Sequence, residues 1–398
     1  MLMAQPIPKK IKEKNPEIGT KPFNTLLIDG SSLLELVFNV AKKTSSDGKE
    51  IGAIFAFLLQ LKLLLGKGNF RYVYCFWDGV NSGQQRYNLY TDYKANRDKE
   101  YADNNLSDYM KEVNNRISYM QKKIYGEMNR KPSKTEDEKE NFHWQREILI
   151  QCLDELFIRQ CLYDETEADD FIGYYVTHKK PEENIVIFSN DRDLSQLIHK
   201  SALNPEKDDV ILAIKKPKTE GIQFINSRNH TEMMGYNYQN VALKKIICGD
   251  VSDNIKGIKG VGEKTLFDNF PEFKTRKITL DEVIDGAKKI NEDRILNKKK
   301  PLKWAENIVN RVTDGAQGEK IYEINKKIID LTNPLMPEEA KELLDSMMYA
   351  PMDPEGRSLN NLYNILLEYN IDDLKDENRF GNFFTEFKFL IDKEINNK

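Results

Sequence analysis

Histidine and cysteine are scarce in this chain, four of each among 398 residues, and the scarcity narrows its chemistry. Cys75, Cys152, Cys161 and Cys248 share no zinc or redox spacing, so they are expected to be small buried hydrophobes in a reducing compartment. His143, His178, His199 and His230 show no paired spacing and are expected at structural or surface positions. No apolar run reaches the ~20 residues of a membrane-spanning helix. The Pro- and Lys-rich segment 1–22 has no apolar core of the kind a signal peptide needs and reads as a disordered basic arm. A cytoplasmic protein with no membrane partner is expected. An excess of positive charge is missing too: 60 Lys and Arg against 64 Asp and Glu give a net charge of −4. That balance at first argues against nucleic acid, because phosphate binding rests on Lys and Arg. Locally, however, basic residues gather over 94–134 and again over 256–277, on either side of acidic motifs. Each run taken alone equally fits a solvated helix face.

What the chain does have is acid in short, ordered groups. Glu165-Thr166-Glu167-Ala168-Asp169-Asp170, Asp191-Arg192-Asp193 and Gly249-Asp250-Val251-Ser252-Asp253-Asn254 each lie at the edge of an apolar segment. Two earlier apolar runs stop at Asp29-Gly30 and Asp78-Gly79. A parallel sheet delivers strand-end side chains to one common rim. Two unit charges ~4 Å apart repel by about 4 kcal/mol at an effective dielectric of ~20, so a fold that gathers several carboxylates normally needs divalent cations to hold them. Oxygen ligands without cysteine or histidine point to magnesium or manganese. Local explanations compete at single motifs. Thr166-x-x-Asp169 fits a helix capping box, Asp191 fits the cap of a helix starting near Leu194, and an isolated Asp-Gly is a turn signal. Caps do not account for acid at successive places that mostly end a predicted strand.

Apolar periodicity predicts helices over 33–43 and 51–66 and strands over 72–77, 184–189 and 210–214, with a helix opening at the Glu167 motif and another near Leu194. This alternation predicts an α/β core over 23–235 built on a mostly parallel, doubly wound sheet. A polar, helix-rich insertion rich in Tyr, Lys and Arg interrupts it at about 98–160, and a helical domain over 236–398 follows. The charged stretch 291–303 reads as an exposed loop or helix end, with another phosphate contact as the less favoured alternative. Gly257-Ile258-Lys259-Gly260-Val261-Gly262 lies between a helix over 241–248 and one beginning at Glu263, a setting in which glycines let backbone N–H groups approach a phosphate.

In this order the motifs resemble the metal-dependent 5′ nucleases, which include flap endonucleases, the 5′-nuclease domains of bacterial DNA polymerases and the phage ribonuclease H type of primer-removing exonuclease. The resemblance covers about 24–273 and is carried by Asp29-Gly30, Trp77-Asp78, Tyr93-Lys94-x-x-Arg97, Glu167-Ala168-Asp169-Asp170, Ser189-x-Asp191-x-Asp193, and Gly249-Asp250-x-x-Asp253-Asn254 leading into Gly257 to Gly262. It implies a magnesium-dependent 5′→3′ exonuclease or flap endonuclease that removes RNA primers or 5′ flaps during replication by a two-metal mechanism, with no histidine base. Asp29, Asp78, Asp169 and Asp191 would surround one ion, and Glu167, Asp193 and Asp253 the other. Asp170 and Asp250 would support them from outside. Lys94 and Arg97, opening a helical arch, would stabilise charge at the scissile phosphate. Arch tyrosines such as Tyr101 and Tyr109 would stack on a single strand, though half-buried packing explains them equally well.

The resemblance further implies a helix–hairpin–helix at 241–273. There Lys256, Gly257, Lys259, Gly260, Gly262 and Lys264 would grip duplex backbone, with a monovalent cation such as potassium. The implied partner is double-stranded DNA bearing a 5′ single-strand flap or an RNA primer, bound by a monomer whose replication partners the sequence does not name. Leu36 stands where polymerase-type members carry an Arg, and the insertion is long; both features lean toward the phage branch, which acts in an infected bacterial cell, and toward a stand-alone nuclease. A structure-specific binding protein that kept the fold and lost the chemistry is the rival of another class. A single-domain ribonuclease is a second rival, but it would lack the hairpin.

Overall fold

The computed structural model describes residues 25–90, 93–94, 136–216, 221–313 and 319–396. Its sheet follows the order β3-β2-β1-β4-β6, with β1 Thr25–Asp29, β2 Tyr72–Trp77, β3 Arg159–Leu162, β4 Ile185–Phe188 and β6 Asp208–Lys215 all parallel to their neighbours. Strands β5 His199–Lys200 and β7 Ile222–Ile225 pair antiparallel with β6. Residues of β1 and β4 are buried throughout, as expected where helices cover both faces of a parallel sheet and the strands become unbroken apolar runs. The chain winds outward from β1 to β3 and then returns to the opposite side at β4. The order therefore reverses between β1 and β4, and the crevice outside those strands' carboxyl ends is the natural binding place.

The helices largely follow the apolar periodicity. The first begins earlier than expected, at Gly30–Val40, because Asp29 caps it directly; the second spans Gly52–Leu65. The segment 136–160, expected within the insertion, belongs to the core instead. Helix Glu136–Glu155 buries Phe142, Leu149, Cys152 and Leu153, and β3 follows it. The remainder of the expected insertion, including Arg97 and Tyr101 to Tyr125, lies outside the described residues. Strand β3 reads Arg-Gln-Cys-Leu, too short and too polar to signal a strand by itself.

Three apolar cores organise the packing. The largest builds on the sheet and also takes in Leu343, Leu362, Phe384 and Phe387 from the C-terminal helices, which therefore return to the α/β core. A buried Arg159–Glu394 pair at 3.0 Å fixes that return. The stretch around Ile247, Leu266, Phe273, Val283 and Ile308 has a core of its own. A small cluster of Tyr93, Ile246, Ile255, Tyr322 and Ile328 includes residues from both parts of the chain.

Candidate active site

Asp29 leaves a strand that turns straight into a helix, so its carboxylate is held from two sides. It accepts from Ser32 N at 2.9 Å and from the Ser189 hydroxyl at 2.8 Å. Ser189 follows β4, and its Oγ also accepts from Asp191 N at 3.0 Å. One serine thus ties the ends of β1 and β4 together at the reversal point. Gly30 makes room for the arrangement, since a Cβ there would lie 2.6 Å from Cys75 Sγ and 2.9 Å from Phe76 O.

Asp78 follows β2, donates its N–H to Ser31 Oγ and accepts from Ala168 N, each at 2.8 Å. The second bond meets the start of helix Ala168–His178 from a distant strand, and Glu167 at the N-cap makes no side-chain cap bond. The Thr166 capping box does not form. Its hydroxyl donates to Asp164 O, which leaves Glu167 and Asp169 to the cavity. Asp191 does cap, accepting from Asp193 N at 2.8 Å, but the element is a 3-10 turn at Arg192–Leu197. Strands β8 Gly249–Asp250 and β9 Ile255–Lys256 close a hairpin that carries Asp250 and Asp253. Lys94 N donates to Asp253 O at 2.9 Å, which joins the β2 side to this hairpin.

These ends line one cavity of about 640 Å³, faced by Asp29, Asp78, Glu167, Asp169, Asp191, Asp193, Asp250 and Asp253, together with Lys94. Asp170 does not face it. Completely buried, it accepts from Arg86 Nη1 at 2.5 Å, Arg86 Nη2 at 2.9 Å and Leu335 N at 3.2 Å. Arg86 in turn lies 3.1 Å from Glu167, so Asp170 acts on the site through this arginine as a positioning residue.

The electrostatics split the acids into two groups. Burial, reinforced by the charges of Asp78 and Asp191, raises Asp29 from 3.8 to about 7. Asp169, although part of its surface opens on the cavity, is raised well above the usual range by burial and by Asp191 and Asp29. Burial and Asp191 raise Asp193 to about 6 even with Lys245 beside it. For Glu167 burial pushes the same way, but Arg86 and the Lys94 ammonium at 2.6 Å outweigh it and bring the carboxyl down to about 2. Asp250 is likewise lowered against its burial by Lys245 at 2.5 Å.

Lysines and an arginine thus neutralise the outer acids, while burial and mutual repulsion prevail at Asp29, Asp78 and Asp169 over the hydrogen bonds to Asp29 and Asp78 and the charge of Lys94 near Asp78. Among the described residues no three acids converge tightly enough to hold an ion as they stand, as mutual repulsion and the engaged lysines require. The donor chemistry fits a hard divalent cation: all oxygen and anionic.

The glycine turn forms a second concavity, lined by Lys256 to Gly262 and sharing Asp250 and Ile255 with the first. Its glycines differ in purpose. A Cβ at Gly257 would lie 2.2 Å from Cys248 C, so close packing excludes a side chain there. Gly260 has φ +79, and Gly262 faces open space. Lys264 is exposed on helix Glu263–Asn269, just past the turn.

Residues 24–219 match the model of the 5′-3′ exonuclease N-terminal, resolvase-like domain. Through this domain the chain is similar to the 5′-3′ exonucleases. A 5′-3′ exonuclease of Mycoplasmopsis pulmonis is 25% identical over 273 residues, 69% of this chain and 73% of that protein. DNA polymerase I of Synechocystis is 29% identical over 167 residues, which make up 40% of this chain and 16% of the polymerase. The T5 D15 flap endonuclease, solved as a pseudo-enzyme-product complex with DNA and metal ions, shares the fold with a TM-score of 0.53 and 16% identity, over 82% of this chain and 98% of that one.

Two residues at this site escape the sequence motifs. Arg86 sits eight residues before Lys94 on the short helix Gln84–Leu89, where nothing in the pattern marks it as buried. Lys245 lies in a Lys244-Lys245 pair on helix Val241–Cys248; the structure turns Lys245 to Asp193 and Asp250, and Lys244 to Glu263. Helical spacing from Ile246 and Ile247 was the available signal, and it does not separate the two lysines.

Proposed function

We propose that the chain is a divalent-metal-dependent phosphodiester hydrolase that removes RNA primers or 5′ flaps from duplex DNA. The observation that carries this reading is a cavity lined by eight motif acids, together with Glu35, that shares Asp250 and Ile255 with a glycine hairpin suited to duplex backbone. Magnesium or manganese, held by Asp29, Asp78, Asp169 and Asp191 on one side and by Glu167, Asp193 and Asp253 on the other, would supply Lewis-acid activation of water and phosphate. The chain's own residues do the rest. Lys94, fixed at φ 52 over the Tyr93 ring, presents an ammonium beside Glu167 where a scissile phosphate gathers charge. Arg86 and Asp170 keep Glu167 ionised and aimed. Lys245 screens Asp193 from Asp250. The hairpin N–H groups and Lys256, Lys259 and Lys264 hold the duplex without reading its sequence, with potassium as a fitting ion at the turn. End-labelled flap, nicked and RNA-primed duplexes, incubated with magnesium and sized, test the proposal. Tight binding with no cleavage in magnesium or manganese would reject it in favour of a binding protein.

Lys94→Ala is expected to slow the saturated single-turnover step by about 10²-fold, the typical cost of one lost donor to a developing anion, with little change in affinity. Lost affinity at an unchanged single-turnover rate would make Lys94 an ordinary phosphate contact. Gly260→Val forces a β-branched residue into positive φ at the turn. It should weaken binding to long duplexes and spare cleavage of a short, mainly single-stranded substrate; equal impairment of both with a lower melting temperature would refute the duplex grip.

A further inference from the structure

The loop joining helices Leu280–Leu296 and Lys303–Asn310 carries Lys298, Lys299 and Lys300, which neither the fold nor the cavity uses. All three are exposed, and among the described residues none makes an ion pair. Lys303 meets only the partly exposed Glu306, at 3.0 Å. The loop is nevertheless fastened to its own helix. Lys298 N donates to Ile295 O at 2.9 Å and Lys299 N to Arg294 O at 2.7 Å, while Arg294 Nε donates to Lys300 O at 2.8 Å. Asn291 closes the turn, accepting from Leu302 N at 2.7 Å and donating to Leu302 O at 3.2 Å. Lys298 adopts φ 52, a conformation that disfavours a side chain. Three exposed positive residues in succession on a pinned turn concentrate charge to which an anion is attracted.

Position identifies the anion. Trp304, which follows Lys303, lies where its Cβ would be 3.7 Å from a Cβ on Gly260. Asn307 Nδ2 donates to Lys259 O at 2.8 Å, and Lys259 N donates to Val312 O at 2.8 Å. The two-helix unit is therefore fixed to the glycine hairpin, and the hairpin shares its other side with the acid cavity. We infer that Lys298, Lys299, Lys300 and Lys303 form a second phosphate-backbone contact that lengthens the duplex track beyond the hairpin, away from the point of cleavage. This rests on the hairpin's holding duplex. Ile295 and Leu296, 59% and 80% exposed at the same tip, would suit a protein partner, but the unpaired charge favours phosphate.

The test uses the full chain without divalent metal, so that nothing is cut. Wild type, Gly260→Val and the triple variant Lys298→Gln, Lys299→Gln, Lys300→Gln are compared for binding to nicked duplexes of graded length at several salt concentrations. The triple variant should match wild type on the shortest duplex, bind the longest about 10-fold more weakly, and show a salt dependence shallower by roughly 2–3 in log–log slope, at an unchanged melting temperature. Equal affinity and slope at every length, the outcome if the tip docks a protein, overturns the inference. Equal loss at every length overturns it as well. A length-dependent loss supports it whichever way Gly260→Val behaves, and unweakened binding by Gly260→Val alone sinks only the hairpin reading.

Discussion

Asp169→Asn is expected to abolish cleavage, by about 10³-fold or more, while duplex affinity stays near that of wild type and the metal-free variant melts at a higher temperature than wild type. The first effect follows from the loss of a proposed anionic ligand lining the cavity, where charge stabilisation by bound metal would contribute about 4 kcal/mol or more, about three decades in rate. The second follows because the surfaces proposed to hold duplex, the glycine hairpin and its lysines, lie outside the acid cluster. The third comes from the electrostatics: Asp169 is pushed upward by burial and by Asp191, Asp29, Glu167 and Asp78. An isosteric neutral amide removes a repulsion the metal-free fold must otherwise bear. Function and stability thus pull in opposite directions at this residue, which a structural acid would not show. Near-normal turnover under saturating magnesium would sink the metal assignment. A lower metal-free melting temperature would show instead that Asp169 supports the fold.

The same opposition explains how much of the site could be read from the sequence. Strand-end acids such as Asp29 and Asp78 are legible because their neighbours are unbroken apolar runs, and β-strand geometry sends such residues to one edge. Asp191 and Asp193 are legible for the same reason, and the structure shows that a cap and a cavity ligand are not exclusive readings, since Asp191 caps its turn while facing the cavity. Glu167 and Asp170 show the limit. Three residues apart, they lie within about 60° of each other around the helix axis and both reach Arg86, so only depth of burial, which no motif marks, separates the acid at the cavity from the acid beneath it. Lys245 is hidden for a related reason: a lysine beside a carboxylate reads as solvated surface until the fold buries it. The end of the expected insertion was misplaced because helix Glu136–Glu155 opens with a run of charged residues, and its apolar face emerges only from Phe142 onward.

Without divalent ions, the protein is expected to lose stability as pH rises from about 4 to about 7. Asp29 is raised from 3.8 to about 7, so across that window the folded state keeps a proton that the unfolded chain has already released. Stability then falls with pH, because deprotonation is easier in the unfolded state. A shift of that size corresponds to about 4 kcal/mol. Asp193 adds to the fall up to about pH 6. Glu167 has the opposite sign. Its carboxyl is lowered from 4.5 to about 2, so its contribution is complete above the usual value and is lost only as pH drops toward 2. The metal-free protein should therefore be most stable near pH 4 to 5. A divalent cation held by these acids would take the place of the released proton, so the gain in melting temperature on adding magnesium should be small at pH 4 and grow steadily to pH 7. Asp29→Asn should flatten the metal-free curve over the same range and reduce the magnesium gain. Calorimetric melts at intervals of one pH unit, with magnesium and with chelator, measure all of this. A metal-free melting temperature that stays level or rises between pH 4 and 7 would show that the carboxylates do not repel as their burial and proximity demand.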